Sequence, residues 1–402
     1  MAPELSPALT APATSPSRFS NWSLLEGLSR FGSPDSTLSI RSFFQGGDVH
    51  RRMDRIRDAI VWIRENWETD YLLFMTELQQ SFLGSAPNFS KDSSITSLRK
   101  QWADRRERDP VRQADGSEED YTFLKLYTSE EGYKQIFSVL NNAFRADDLS
   151  DEETRLRAAV FLVELLTIEL FNYTFARPNC TSGFTGIIYR GMCLSSEHLE
   201  NFLDMMGKPI KERYWSIPLA FMSCTMSRGL ALSFAEKTAS EDPTCHQVLF
   251  RIHVANLEQN LLNEYKKRFP SGVVTTVCAV NISALSEYPE EQEVILRGPF
   301  FQLINARMEK TAQGRELHIL DVLVFNTNRD HPSTMEMEEE ERDQARVLFA
   351  CLIEIARSKE CMRLANECGI PDDVAAYQAL HDEAQKRLIR LRLEHQRALE
   401  NK

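Results

Sequence analysis

The segment LSEYPEEQEVIL, residues 285–296, places acidic side chains directly in front of a β-branched apolar run that looks like a buried strand. Glu291 and Glu293 are two residues apart, so in an extended backbone both side chains would leave from the same face. Carboxylates that lie this close raise each other's pKa. Such a pair at the edge of a buried strand calls for a chemical explanation.

Two other segments place polar residues at the edges of predicted strands. Arg190 follows the apolar run IIY, and Ser223 and Thr225 stand two apart in FMSCT. Arg is suited to a bidentate grip on a phosphate, and hydroxyls can orient a carboxylate by hydrogen bonding. A carboxylate in a closed cleft can stabilise the positive centre that forms as a glycosidic bond breaks. Each segment alone also fits a strand edge or an exposed loop, but together they suit a substrate with a pyrophosphate and a labile N-glycosidic bond.

The composition excludes several classes of protein. The chain has 402 residues, 42% of them hydrophobic and 26% charged, which is typical of a soluble globular protein of two or three domains. Its net charge of -12 argues against general nucleic-acid binding, so we predict no nucleic-acid partner. We also predict no membrane span, because no apolar run is long enough. The eight cysteines and eight histidines lack paired ligand spacing, so we predict no metal site.

The N-terminal sequence predicts a cytoplasmic protein. MAPELSPALTAPATSPS has neither a cationic start nor an apolar core of signal-peptide length. Several cysteines lie in apolar runs, where they behave as small reduced hydrophobic residues. Export by a non-classical route stays open.

The pattern along the first part of the chain divides it into three segments. Residues 1–47 contain ten serines and five prolines and read as a disordered leader. Residues 48–87 carry apolar side chains at helical spacing and form an amphipathic helical segment. Residues 88–120 are polar and charge-dense, which is typical of a linker.

The sequence pattern of residues 121–328 predicts an α+β domain. A long, largely buried helix at about 151–174 precedes several β-type runs: IIYRGMCL, LAFMSCT, HQVLFRIHV, VVTTVCAVNI, EVIL and HILDVLVF. Helices near 196–206, 229–237 and 256–265 interrupt them. Helices first and strands afterwards indicate segregated α and β elements.

The last part of the chain, residues 333–402, predicts a helical hairpin. It is highly charged and helical in pattern, and Gly369 and Pro371 divide it into two long helices. An antiparallel arrangement of the two is the natural one.

Taken in order, these segments resemble the mono-ADP-ribosyltransferases of the Arg/Ser/Glu class, in particular their arginine-modifying branch. The resemblance covers residues 121–325: LYTSEEGYKQIFSVLNNAFR and the apolar helix after it look like the helical lead-in, IIYRG like the Arg motif, FMSCTMSRGLALSFA like the Ser motif and SEYPEEQEVIL like the acidic loop. It implies a core of two packed, mostly antiparallel sheets with a helical lead-in, flanked by N- and C-terminal helical segments. It also implies NAD as a co-substrate.

The resemblance assigns roles to individual residues. Arg190 would hold a phosphate of NAD, and the backbone of Gly191 would contact the nicotinamide amide. Ser223 would orient Glu293, the catalytic glutamate, which would stabilise the charge on the ribose as nicotinamide leaves. Thr225 would support the nicotinamide side. This chain departs from the family's common Ser-Thr-Ser by having Cys at the middle position, while the first Ser is kept and Thr can replace the third chemically.

The acceptor side is also implied by the resemblance. Glu291 would receive the guanidinium of a target arginine, and Tyr288 would help to dock that acceptor. Phe234 would stack on nicotinamide or pack as an ordinary core residue. The expected activity is transfer of ADP-ribose from NAD to a target protein with an exposed arginine.

Two other functions stay open at this point. An NAD glycohydrolase would use the same cleft but leave Glu291 idle, and a catalytically silent module would keep the fold and bind partners through its terminal helices. The helical segments 48–84 and 334–402 would then dock on a partner, or on the rest of this chain.

Overall fold

The computed structural model describes residues 122–129, 153–176, 184–216, 221–241, 245–270, 278–311, 314–327 and 339–400, with a few further positions at 62–78 and at 274. The predicted leader, residues 1–47, and the predicted linker, residues 88–120, lie outside the described residues. None of the helices in the described part is long and apolar enough to cross a membrane.

In the described part of the chain, two helices come first, strands with helices between them follow, and two long helices come last, as the sequence predicts. The helices are α1 Thr122–Thr128, α2 Glu153–Ala176, α3 Ser196–Met206, α4 Arg228–Glu241, α5 Gln259–Arg268, α6 Glu339–Glu367 and α7 Pro371–Glu400. The strands are β1 Gly186–Leu194, β2 Tyr214–Ser216, β3 Phe221–Thr225, β4 His246–Ala255, β5 Ala279–Asn281, β6 Glu293–Arg297, β7 Phe300–Lys310 and β8 Glu316–Phe325. Short 3-10 turns occupy Ile210–Glu212 and Pro289–Glu291.

The strands confirm the α+β class and its mostly antiparallel pairing. Their order is β2-β7-β8-β4-β1-β3-β6-β5, and only β4 with β8 is parallel. The resemblance implied two packed sheets, and the described strands are linked by hydrogen bonds into one sheet of eight strands. The reason is that β1 pairs with β4 along its whole length and also with β3 at Tyr189 and Thr225. That single residue pair joins one part of the sheet, formed by β2, β7, β8, β4 and β1, to the other part, formed by β3, β6 and β5.

Both faces of the sheet are covered. Alternate residues of β4 point to opposite faces. Phe250 belongs to an apolar cluster that includes Phe202 of α3 and Trp215, and Leu249 packs with Ala231 of α4. The rings of Phe202 and Trp215 meet edge to face, with centroids 5.1 Å apart. The helix α4 therefore covers the face opposite to α3.

Helices α1 and α2 support the start of β3. The buried carboxylate of Glu169 in α2 accepts hydrogen bonds from the N–H groups of Phe123 and Leu124, at 3.2 and 2.7 Å, and so satisfies the first amides of α1. At the other end of α1, the hydroxyl of Tyr127 donates to the carbonyl of Phe221 in β3, at 3.1 Å. The predicted helical lead-in therefore contacts the strand that carries Ser223.

The described positions of the predicted segment 48–87 are helical, and two of them contact α2. Arg157 of α2 forms an ion pair with Glu77 at 2.9 Å, and its guanidinium lies 5.0 Å from the ring centroid of Trp62. Leu78 is fully buried. This part of the segment therefore packs on its own chain.

The two C-terminal helices have the predicted break, with Gly369 between them at φ 71°. They pack on α5 and on the sheet in two apolar clusters, one containing Tyr265 and the other containing Leu323 and Tyr377. A largely buried ion pair between Arg213 and Asp373, at 2.6 Å, attaches the start of α7 to the loop before β2. The hairpin is thus part of the packed structure, while its boundary as a separate domain stays a prediction.

Candidate active site

A cleft of about 350 Å³ lies at the place where β1, β3 and β6 meet the helix α4. It brings together every predicted site residue except Tyr288. Its lining residues are Tyr189, Arg190, Gly191, Ser223, Cys224, Thr225, Phe234, Glu291 and Glu293. Segments separated by about a hundred residues in the sequence therefore form one site.

The sheet register explains why these segments meet. Thr225 of β3 lies opposite Glu293 of β6 on one side and opposite Tyr189 of β1 on the other. Ser223 is two residues before Thr225 on the same strand, and Arg190 directly follows Tyr189. The cleft thus spans the single residue pair that joins the two parts of the sheet.

Glu293 is the first residue of β6 and is almost completely buried, with 1% of its surface exposed. The hydroxyl of Ser223 donates a hydrogen bond of 2.6 Å to its Oε1. Val294 and Ile295 follow it at 0% exposure and anchor the strand in the core. A carboxylate held in this way has a fixed orientation in a site that excludes most water, which is where such a group stabilises developing charge best.

Glu291 reaches the cleft by a different backbone route from the one the sequence suggested. It does not lie in extended backbone: it ends the 3-10 turn Pro289–Glu291, and Gln292 after it is left-handed, with φ 50° and ψ 52°. The expectation of two carboxylates on one face of a strand is therefore wrong, because Pro289 starts a turn that Gln292 closes. Both carboxylates nevertheless line the cleft, and Glu291 is 3% exposed.

Arg190 is half-buried, and its guanidinium spans the join between β1 and β3. Its Nη1 donates to the carbonyl of Ser223 at 2.5 Å. This bond fixes the planar cation beside the strand that carries the Ser223 hydroxyl. An anchored guanidinium suits a phosphate ligand, because its geometry is set before the ligand arrives.

Cys224 also lines the cleft, although we did not assign it to the site from the sequence. Burial raises the pKa of its thiol to about 12, the nearby Arg190 cation opposes this effect, and the Glu293 carboxylate adds to it. The thiol is therefore protonated at neutral pH and is no nucleophile. Cys224 instead contributes to the apolar cluster that contains Phe202 and Trp215. This packing is a sufficient reason for a small apolar side chain between Ser223 and Thr225.

Gly191 is the point of closest approach between β1 and α4. A Cβ atom at this position would lie 1.6 Å from the carbonyl oxygen of Ala231. Only glycine allows this contact, which brings Phe234 of α4 to the cleft. Phe234 is half-buried, lines the cleft and packs against the apolar cluster that contains Phe202 and Trp215. Its position is therefore compatible with stacking on nicotinamide and with packing as a core residue.

Tyr288 and Thr225 hold the turn that carries Glu291. The carbonyl of Tyr288 accepts from the N–H of Glu291 at 3.0 Å, and its side chain is not among those lining the cleft. Its role in acceptor docking stays a prediction. The hydroxyl of Thr225 donates to the carbonyl of Glu291 at 2.5 Å and accepts from the N–H of Ser227 at 2.9 Å.

Tyr189 is a second lining residue that we did not single out for the site. It lies next to Arg190 and packs against the cluster under α4. Its position directly before Arg190 is the sequence feature that indicates a place in the site. Among the described residues there is no group of three or more His, Cys, Asp or Glu side chains that could hold a metal ion.

Comparison with known proteins finds only weak similarities to solved structures. No protein-family model matches the chain, and neither does any curated protein. Among solved structures, the ADP-ribosyltransferase HopU1 of Pseudomonas syringae pv. Tomato DC3000 is 18% identical, with 54% of this chain and 81% of that chain covered and a TM-score of 0.34.

Two further solved structures are similar at the same level. The ADP-ribosyltransferase Vis, solved in complex with agmatine, is 15% identical, with 59% and 87% of the two chains covered and a TM-score of 0.33. Plx2a, an ADP-ribosyltransferase toxin from Paenibacillus larvae, is 12% identical, with 56% and 96% covered and a TM-score of 0.30. Similarities at this level carry no argument, so the functional conclusion depends on the residues of the cleft.

Proposed function

We propose that this protein is a mono-ADP-ribosyltransferase that cleaves NAD at the bond between nicotinamide and ribose and transfers ADP-ribose to arginine side chains of target proteins. The observation that carries the proposal is one cleft that holds a Ser223-bound Glu293, a second buried carboxylate at Glu291 and the guanidinium of Arg190. This combination supplies a group for the phosphates, a group for the reacting sugar and a group for the acceptor.

The residues fit NAD in two respects. Arg190 offers a fixed cation to an anionic ligand in a chain of net charge -12. Gly191 and Phe234 both line the cleft, where the flat nicotinamide ring would lie. NAD supplies a glycosidic bond whose cleavage leaves positive charge on the ribose, and the buried Glu293 carboxylate would stabilise that charge.

Glu291 distinguishes transfer to arginine from reaction with water. A guanidinium must be held, and relieved of a proton, while it attacks the sugar carbon. A second carboxylate in the same cleft is the group suited to this task. A glycohydrolase would need Glu293 alone, which is why the arginine transferase is the function we propose.

The setting that we propose is intracellular. The described cysteines at 224, 351, 361 and 368 are free thiols, which suits a reducing compartment. The partner would be a protein with an arginine exposed enough to enter the cleft.

The proposal is tested with purified protein, NAD and agmatine, which presents a guanidinium as arginine does. We expect nicotinamide and ADP-ribosyl-agmatine to form together. Nicotinamide without the adduct would favour a glycohydrolase, and neither product would favour a silent module.

Substitution of the two carboxylates tests their separate roles. Glu293→Gln should lower nicotinamide release and transfer alike, by at least about 100-fold, because both need the charge on the sugar to be stabilised. Glu291→Gln should lower transfer to agmatine by a similar factor while part of the nicotinamide release persists. Both products are quantified by chromatography.

Glu290 provides the matched control, because it lies on the same turn but is exposed. Glu290→Gln should leave both products at the level of the unmodified protein. Equal losses in the Glu291 and Glu293 variants would refute the two roles assigned here.

A further inference from the structure

The turn that carries Glu291 is fastened to the end of β3 by two successive hydrogen bonds. The hydroxyl of Thr225 donates to the carbonyl of Glu291 at 2.5 Å, and the N–H of Met226 donates to the carbonyl of Gln292 at 3.1 Å. Of these two donors, only the first comes from a side chain. A substitution at Thr225 can therefore remove one fastening and keep the other.

The same hydroxyl also holds the start of α4. Thr225 Oγ1 accepts from the N–H of Ser227 at 2.9 Å, and Ser227 in turn caps α4 by accepting from the N–H of Leu230 at 3.2 Å. Because an amide N–H can only donate, the single proton of the hydroxyl is directed to the carbonyl of Glu291. Thr225 is 5% exposed, so water competes little for either bond.

Glu293 depends much less on this hydroxyl. It lies in the ladder between β3 and β6, where Cys224 pairs with Val294 and Ser223 with Ile295, and its carboxylate is bound by Ser223. Glu291 lies outside this ladder. Loss of the Thr225 hydroxyl should therefore displace Glu291 more than Glu293.

The left-handed backbone at Gln292 adds to this difference. A non-glycine residue adopts that conformation only where its surroundings enforce it. When the bond to the neighbouring Glu291 carbonyl is lost, the turn can relax toward an ordinary conformation. Such a relaxation would move the Glu291 carboxylate in the cleft.

We propose that Thr225 is a positioning residue that fixes Glu291 through the backbone of the turn, and that it thereby sets how much ADP-ribose passes to a guanidinium acceptor instead of water. This inference rests on the proposed function. It differs from the role on the nicotinamide side that the sequence suggested, because the hydroxyl bonds to the acceptor turn and to the start of α4.

The test uses two substitutions at Thr225 in the full chain. Thr225→Val keeps the branched side chain and removes the hydroxyl, whereas Thr225→Ser keeps the hydroxyl. For each variant, nicotinamide release and formation of ADP-ribosyl-agmatine are measured together. The folded fraction is determined by circular dichroism.

In Thr225→Val, the ratio of transfer to nicotinamide release should fall by roughly tenfold or more, because a small displacement of a reacting group has effects of this size. Thr225→Ser should restore most of the ratio. A purely structural role would lower both products together and leave the ratio unchanged, which would overturn the proposal.

Hydrogen exchange separates failure of this proposal from failure of the proposed function. If the unmodified protein releases no nicotinamide from NAD, the enzymatic function is wrong, but the fastening can still be measured. In Thr225→Val, exchange at the amides of Glu291 and Gln292 should become faster while that of Ile295 in β6 does not. Unchanged exchange in the turn would show that the Thr225 hydroxyl does not hold it.

Discussion

Gly191 contributes to the site by lacking a side chain. Its position against the carbonyl of Ala231 sets the distance between β1 and α4, and with it the place of Phe234. The cleft therefore depends on a backbone contact as much as on the charged groups that line it. Single residues therefore determine both the shape of the cleft and the chemical groups that line it.

Replacing Gly191 by Ala should both destabilise the protein and close the cleft. The added methyl group would have to displace backbone, and overpacking of this kind costs about 1–3 kcal/mol. We expect the free energy of unfolding in urea to fall by that amount and NAD cleavage to fall by at least about tenfold.

Gly229 serves as the control for this substitution. It lies in the first turn of the same helix, and an added Cβ would have no neighbour closer than the Ser227 hydroxyl at 4.0 Å. Gly229→Ala should leave activity unchanged and stabilise the protein by up to about 1 kcal/mol. Similar behaviour of the two variants would disprove the packing argument.

At the scale of elements, two of the ion pairs that attach the hairpin of α6 and α7 differ in exposure. Arg213 and Asp373 are 2.6 Å apart with about a tenth of each side chain exposed, whereas Lys211 and Glu383 are 3.5 Å apart and mostly exposed. Both pairs link α7 to the same short stretch before β2. They form a matched pair for measuring how firmly the hairpin is held.

Asp373→Ala should lower the free energy of unfolding by about 3 kcal/mol, because it leaves the buried Arg213 cation without its carboxylate. Glu383→Ala should change it by less than about 1 kcal/mol, as for other exposed pairs. Urea denaturation followed by circular dichroism measures both. A small effect of Asp373→Ala would mean that this ion pair contributes little to the attachment of the hairpin.

Several elements could be predicted from the sequence because the pattern that marks them is local. Helix α3 was predicted at 196–206 and lies at Ser196–Met206, and the break between α6 and α7 follows from Gly369 and Pro371. The strands that carry Arg190 and Ser223 were also predicted. The motifs that fix these positions are short and continuous.

Other elements could not be predicted because their causes are not local. The strand β7, Phe300–Lys310, was not foreseen, since its second half alternates with charged residues and gains its place by pairing with β8. The extended backbone expected at Glu291 does not form, since nothing in the type of Gln292 indicates a left-handed backbone. The single sheet depends on one pairing between residues 189 and 225, which no local pattern encodes.

At the scale of the whole molecule, the contact between sheet and hairpin has an electrostatic consequence. Burial lowers the pKa of His253 in β4 to about 4, with Arg251, Arg363 and Arg307 adding to the effect and Glu367 opposing it. Unfolded histidine titrates near pH 6.5. The unfolded state therefore binds more protons than the folded state between pH 6.5 and about 4.

The stability contributed by neutral His253 is thus present above pH 6.5 and lost as the pH falls toward 4. In His253→Gln this part of the acid sensitivity should disappear, which amounts to at most about 3 kcal/mol across that range. Measured at several pH values between 6.5 and 4, the free energy of unfolding of the unmodified protein should fall more steeply than that of His253→Gln. Parallel curves would show that His253 does not titrate in this way.

The position of β8 has a consequence for how the protein is made. It is the last of the described strands in the chain, yet it lies inside the sheet between β4 and β7, and its parallel partner β4 precedes it by about seventy residues. All residues of the cleft are synthesised before it. A chain that is still on the ribosome therefore carries every group of the site before it carries the strand that joins β2 and β7 to the rest of the sheet.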